Sequence, residues 1–245
     1  MTNLMRAGAE RNGLTVTLEA GTSTMTLNRP PRNLLEPEVM DALRVALLEA
    51  DEDPEVRAIV LKGAGEHFCG GLDVDLMRST SGGPVAFARP LVALFKVFPL
   101  LGTPVLAAVI GDAVAGGYSL VCCADVAIAA AGSRIGTFEA SIGIWPMLAQ
   151  VPPLQRLQPR HALENIITGE PFTAERALAV GAVNEVVRPE ELDATVAAWV
   201  ERITRAGQTL AGGRRAFYSL LELPFGEALD DALERFAAQF EGAPK

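Results

Sequence analysis

The sequence predicts an α/β fold with a helical C-terminal part. Short apolar runs of strand length alternate with helical stretches from Val56 to Val187, the pattern of crossover units. A hairpin pattern precedes them, and a purely helical pattern follows.

Residues 1–12, "MTNLMRAGAERN", are polar, do not look like a signal peptide, and are expected to be flexible. "GLTVTLE" (Gly13–Glu19) alternates Leu14, Val16 and Leu18, and "STMTLN" (Ser23–Asn28) alternates Met25 and Leu27. With Gly21 between them they read as a β-hairpin, ended by Pro30 and Pro31. "PEVMDALRVALLEADEDP" reads as a helix, with Pro37 in its first turn and Val39, Met40, Leu43, Leu47 and Ala50 on one face. "VRAIVLKG" (Val56–Gly63), "PVLAAVIG" (Pro104–Gly111) and "DVAIAA" (Asp125–Ala130) are short apolar runs consistent with buried parallel strands. A helical stretch around Val85–Phe98, expected to bend at Pro90, lies between the first two. Helices are expected from Pro189 to Gly207, around Thr209–Leu223 and around Glu227–Phe240. The expected layout is a flexible 1–12, an α/β core over 13–188 and a helical part over 189–245.

A chain of 245 residues, 49% hydrophobic and 21% charged, suits a soluble globular protein with a large core. Its net charge of -9, without a basic stripe, argues against a nucleic-acid partner. Asp112 and Asp125 interrupt the most membrane-like run, Pro104–Ala131, so no membrane span is expected there and the cytoplasm is the expected compartment. Three cysteines (Cys69, Cys122, Cys123) and two histidines (His67, His161) suggest neither a disulfide framework nor a metal cluster. The Cys122-Cys123 pair reads as helix packing.

Three segments could carry chemistry. "EHFCGGLDV" (Glu66–Val74) follows a strand, and its glycine pair either turns the chain or presents free N–H groups. "GDAVAGGYSL" places Gly116 and Gly117 where a strand gives way to an apolar helix, whose first N–H groups lack partners. "SRIGTFEASIGIWPM" holds Glu139 among Phe138, Ala140, Ile142 and Ile144. That carboxylate is either a surface or capping group, or a base with a raised pKa. Backbone donors aimed at a carbonyl stabilise a developing oxyanion, and a nearby carboxylate then moves a proton.

Several ordered stretches carry a family resemblance, from about Leu14 to Phe240: "LNRPPRNLL", "DPEVRAIVLKGAGEHFCGGLDV", "TPVLAAVIGDAVAGGYSL", "CCADVAIAAAGSRIGTFEASIGIWP" and "ITGEPFTAERALAVGAVNEVV". The chain resembles the crotonase superfamily, the enoyl-CoA hydratase/isomerase group. The resemblance implies a spiral of ββα units, with C-terminal helices that build a homotrimer or a dimer of trimers. It implies an acyl-CoA thioester substrate and no separate cofactor, coenzyme A being part of the substrate. Its oxyanion hole falls on the N–H groups of Leu72 and Gly116, within Gly70-Gly71-Leu72-Asp73 and Ala115-Gly116-Gly117. Arg32 and Asn33 align with the loop beside the CoA nucleotide. Arg235 falls near the basic position that relatives turn toward a neighbour's CoA.

Hydratases of this group use two glutamates. Here one position is Glu139 and the other is Ser119. A serine is neither acid nor base near neutral pH. The single carboxylate resembles the group's isomerases, which take a proton from one carbon and return it to another. Hydration with Ser119 holding water, decarboxylation of an acyl-CoA and non-catalytic binding are the alternatives. His67 or Asp75 stands as a substitute acid or as a plain loop residue. "WPMLAQ" (Trp145–Gln150) replaces small residues, so Trp145, Met147 and Leu148 either shape the acyl pocket or simply pack.

Overall fold

The computed structural model describes residues 9–207 and 209–240. Three antiparallel strands open it: β1 (Ala9–Arg11), β2 (Leu14–Glu19) and β3 (Thr22–Leu27). Asn12-Gly13 and Ala20-Gly21 make the turns, all four residues at positive φ, the backbone that a type I′ hairpin turn requires at both positions. Of the N-terminal stretch expected to be flexible, Ala9–Arg11 pairs with β2, and residues 1–8 lie outside the described residues.

Helix α1 (Pro37–Glu52) buries Val39, Met40, Leu43, Leu47 and Ala50, the face its periodicity predicts. Then the chain repeats a unit. Strand β4 (Ala58–Gly63) is followed by a bridge at Cys69 and helices α2 (Val74–Ser79) and α3 (Gly83–Val97). Strand β5 (Val105–Val109) is followed by β6 (Asp112–Val114) and α4 (Gly116–Cys123). Strand β7 (Val126–Ala130) is followed by β8 (Arg134–Gly136), α5 (Val151–Leu154) and α6 (Pro159–Thr168). Strand β9 (Phe172–Thr173), α7 (Ala174–Ala179) and β10 (Glu185–Val187) complete the core.

The first strands of these units pair in parallel in a seven-stranded sheet of order β1-β2-β3-β4-β5-β7-β10. The second strands stack alongside: Cys69 bridges Ala113 of β6, which pairs with Ile135 of β8, which pairs with Phe172 of β9. This is the expected spiral of ββα units.

The continuous apolar character of β4, β5 and β7 has a structural cause: both faces of the sheet are covered. Ile59, Leu61, Val105, Ala107 and Val109 pack in the main core with α1, α3 and α4. Val60, Leu106, Ala108 and Ile128 pack on the opposite face against Leu192 and Val196 of α8 (Leu192–Thr204). The run from Pro104 to Ala131 is therefore the core strands β5 and β7, with the short β6 and the buried helix α4 between them. Gly83–Leu100 is long and apolar enough to cross a membrane by length and composition. In the fold its Phe87, Leu91, Leu94 and Val97 face the core, and the helix continues through Pro90.

Two last helices follow, α9 (Thr209–Leu221) and α10 (Phe225–Ala238). Asp125 anchors α9. Its carboxylate accepts from Arg214 Nε (2.8 Å), the Tyr218 hydroxyl (2.7 Å) and the Val105 N–H (2.7 Å). Arg214 also donates to the carbonyls of Phe98 and Leu101 and lies 4.7 Å from the Tyr218 ring centroid.

Candidate active site

The two glycine-rich turns meet. In the bridge between Leu35 and Leu72, Leu35 donates to the Gly71 carbonyl (2.8 Å) and accepts from the Asp73 N–H (3.2 Å). In a parallel bridge of this pattern the N–H of Leu72 itself points to the other side, away from Leu35. Gly116 opens α4, so its N–H is one of those a helix leaves without an internal acceptor. The backbones are in contact: a Cβ on Gly116 would stand 3.6 Å from Gly71 Cα and 3.9 Å from Leu72 N.

Glycine is required at this contact. Gly71 has φ +85, and a Cβ there would lie 2.6 Å from Ala115 Cβ. Ala115 itself holds φ 53 and ψ -122, a conformation strained for a residue with a side chain. Gly117 faces the packing: a Cβ on it would lie 2.2 Å from the Cys69 carbonyl oxygen. Cys69 fastens the two turns together. Its N–H donates to the Asp112 carbonyl (3.0 Å), its carbonyl accepts from Val114 (2.9 Å), and its sulfur accepts from the Gly71 N–H (3.5 Å). Burial pushes the Cys69 thiol up to about 12, so it remains a thiol.

Leu72 and Gly116 line a cavity of ≈ 560 Å³ together with Glu139. Its walls come from α2 and α3 (Met77, Val85, Ala88, Val92) and from the segment Ile142–Ala149. Among the described residues, Glu139 is the one carboxylate lining it and Arg89 the one cation. Burial raises the pKa of Glu139 above its ordinary 4.5; N–H groups, including that of Phe138 at 2.9 Å, pull it back only partly. Within the cavity the chain thus offers two backbone donors and one carboxylate. That set can hold a carbonyl oxygen while a proton moves at the neighbouring carbon.

Trp145 and Met147 line the cavity as well, with Trp145 Nε1 donating to Gln150 Oε1 (3.1 Å). Leu148 and Val92 line both this cavity and a second of ≈ 370 Å³, bounded by Cys122, Cys123, Arg156 and Tyr218. Gly70 lines the main cavity, and its N–H donates to the Arg32 carbonyl (2.8 Å). Arg32 is exposed beside it.

Four expected site residues have other roles. Ser119 is fully buried and off the cavity lining; its hydroxyl donates to the Ala149 carbonyl (2.9 Å) and so does not face a substrate water. Asn33 is buried, and its amide donates to the carbonyls of Ala64 (2.9 Å) and His67 (2.7 Å), so its side chain clamps the loop before the first glycine turn. The Asp73 carboxylate accepts from the Leu76 N–H (2.9 Å) and caps α2. Gly117 is consumed by its contact with Cys69. His67 accepts from the Asp112 N–H (3.2 Å), and Asp75 pairs with Arg78 (3.5 Å); neither lines the cavity. Arg235 pairs with Asp231 on α10 (2.6 Å). Sequence reasoning missed the α3 wall, including Arg89; the signal was the spacing of Val85, Ala88, Arg89 and Val92 along a second face of that helix.

The family model for enoyl-CoA hydratase/isomerase matches residues 17–222. The chain is 33% identical over 193 residues to the crotonyl-CoA hydratase of Syntrophomonas wolfei, covering 76% of this chain and 73% of that one. It is 28% identical over 241 residues to a probable enoyl-CoA hydratase of Bacillus subtilis, covering 94% and 91%. Among solved structures, an enoyl-CoA hydratase of Mycobacterium smegmatis superposes with a TM-score of 0.86 at 30% identity, covering 94% and 91%.

Proposed function

The chain belongs to the enoyl-CoA hydratase/isomerase family, and from that premise we propose that it isomerises the double bond of an enoyl-CoA through a thioester enolate. The N–H groups of Leu72 and Gly116 hold the thioester oxygen. Glu139 removes a proton from the α carbon of a 3-enoyl-CoA and returns it to the γ carbon, giving the 2-enoyl-CoA. One proton leaves and one arrives, so a single carboxylate balances the reaction. Each oxyanion donor of this kind is worth about 2.7–4 kcal/mol.

The observation that carries this reading is that Glu139 is the one carboxylate lining the cavity among the described residues, while the hydroxyl at position 119 is spent on Ala149. Hydration is the second reading, favoured by the names of the relatives. The test is a mass-resolved panel of 2-enoyl-, 3-enoyl- and malonyl-type CoA thioesters. Conversion of 3-enoyl-CoA, abolished in Glu139→Gln while CoA-ester binding persists, is expected. Rapid hydration of crotonyl-CoA with 3-enoyl-CoA inert would replace isomerisation by hydration, loss of carbon dioxide from the malonyl-type ester would replace it by decarboxylation, and binding without any product would leave a non-catalytic binder.

The same reading includes self-association as a trimer or a dimer of trimers. Support comes from α10, which leaves Phe225, Leu229, Leu233 and Phe236 exposed. Light scattering of the intact chain tests it, a monomer at working concentration being the contrary result.

A further inference from the structure

Arg89 is charged, exposed and lines the same cavity as Glu139, Leu72 and Gly116. No carboxylate or carbonyl among the described residues pairs with it, although the other side chains around it are apolar except for Glu139. It does not bridge to Glu139 itself. An apolar cavity with one unpaired guanidinium at its wall is built for an apolar ligand that ends in an anion.

We propose that the acyl group of the substrate carries its own carboxylate and that Arg89 binds it. This rests on reading the cavity as an acyl-CoA site. The thioester oxygen sits at Leu72 and Gly116, the acyl chain runs along Met77, Ala88 and Val92, and the far carboxylate meets the guanidinium fork. Arg89 then selects dicarboxylic acyl groups over neutral ones of equal length. It takes no part in the proton transfer, so it governs binding and KM more than kcat.

Binding of glutaryl-CoA and pentanoyl-CoA by titration calorimetry tests this, since the two share every group of coenzyme A and differ at the chain end. Wild type should bind glutaryl-CoA on the order of ten- to a hundredfold more tightly. Arg89→Met keeps the apolar stem and should erase that difference, while Arg89→Lys should restore part of it. The glutaryl and pentanoyl thioesters of pantetheine lack the nucleotide phosphates and should repeat the preference. Equal binding of both CoA esters by wild type overturns the proposal and leaves the acyl-CoA reading intact. An equal loss for both esters in Arg89→Met, absent with the pantetheine esters, assigns Arg89 to a phosphate and also overturns it. If neither ester binds, this proposal and the acyl-CoA reading fall together.

Discussion

The Ser119 hydroxyl donates to the Ala149 carbonyl at 2.9 Å, thirty positions along the chain. That bond joins the first turns of α4 to the segment that walls the cavity. The position where a second carboxylate would project is closed by backbone. Ser119→Ala should therefore leave turnover unchanged while costing about 1–3 kcal/mol of stability, because the buried Ala149 carbonyl loses its donor. Ser119→Glu should lower the melting temperature and bring no gain in crotonyl-CoA hydration. A rise in hydration would show that the wall yields readily.

Glu139 sets a pH dependence. Burial raises its pKa above 4.5, so the acid limb of kcat/KM should lie above the ordinary glutamate range and vanish in Glu139→Gln along with turnover. Stability follows the same shift with a defined sign. Between the unfolded and folded pKa values the folded state binds more protons, so stability falls as pH rises through that window. Glu139→Gln should therefore melt above wild type at neutral pH and match it below the ordinary glutamate pKa. Identical melting at both pH values would contradict the raised pKa.

Gly71→Ala should abolish turnover with the fold largely kept. The new methyl group meets Ala115 Cβ at 2.6 Å on a backbone with φ +85, and the turn must move the Leu72 N–H. Loss of that donor alone is worth about 2.7–4 kcal/mol of transition-state stabilisation. Single-turnover rates and circular dichroism separate this from unfolding.

Leu148 stands between the cavity of ≈ 560 Å³ and the second of ≈ 370 Å³. Leu148→Ala should open one into the other and shift the preferred acyl length upward. Comparing kcat/KM across a chain-length series checks it; an unchanged profile would mean that the partition is made elsewhere.

Asp125→Ala should cost about 3–5 kcal/mol, because it leaves the buried Arg214 without its carboxylate. Tyr218 and the Val105 N–H lose their acceptor as well. Chemical denaturation should show an earlier midpoint, and proteolysis should begin in α9.

The elements legible from sequence were those that short-range rules specify. Leu14, Val16 and Leu18 announce β2, Pro37 opens α1, and the glycine pairs stand where strands give way to helices. The Asn12-Gly13 turn was equally local but straddled the boundary between the stretch read as flexible and the first strand. The glycine turns that bring Leu72 and Gly116 to one cavity were legible because their motifs are local. Asn33 and Asp73 entered the expected site through the family resemblance; their side-chain hydrogen bonds go to Ala64, His67 and Leu76. The helical spacing of Val85, Ala88, Arg89 and Val92 marked a second face of α3, but what that face meets depends on distant segments.

By itself the sequence determined the alternation of strand and helix, the glycine turns and the presence of serine at position 119. Periodicity and turn chemistry act over a few residues, so these can be read along the chain. Only the tertiary structure decided that Ser119 is sealed by Ala149, that Asn33 is a clamp, and that Arg89 shares a cavity with Glu139. Burial and hydrogen-bond partners depend on which distant segments pack together, and no local pattern encodes that.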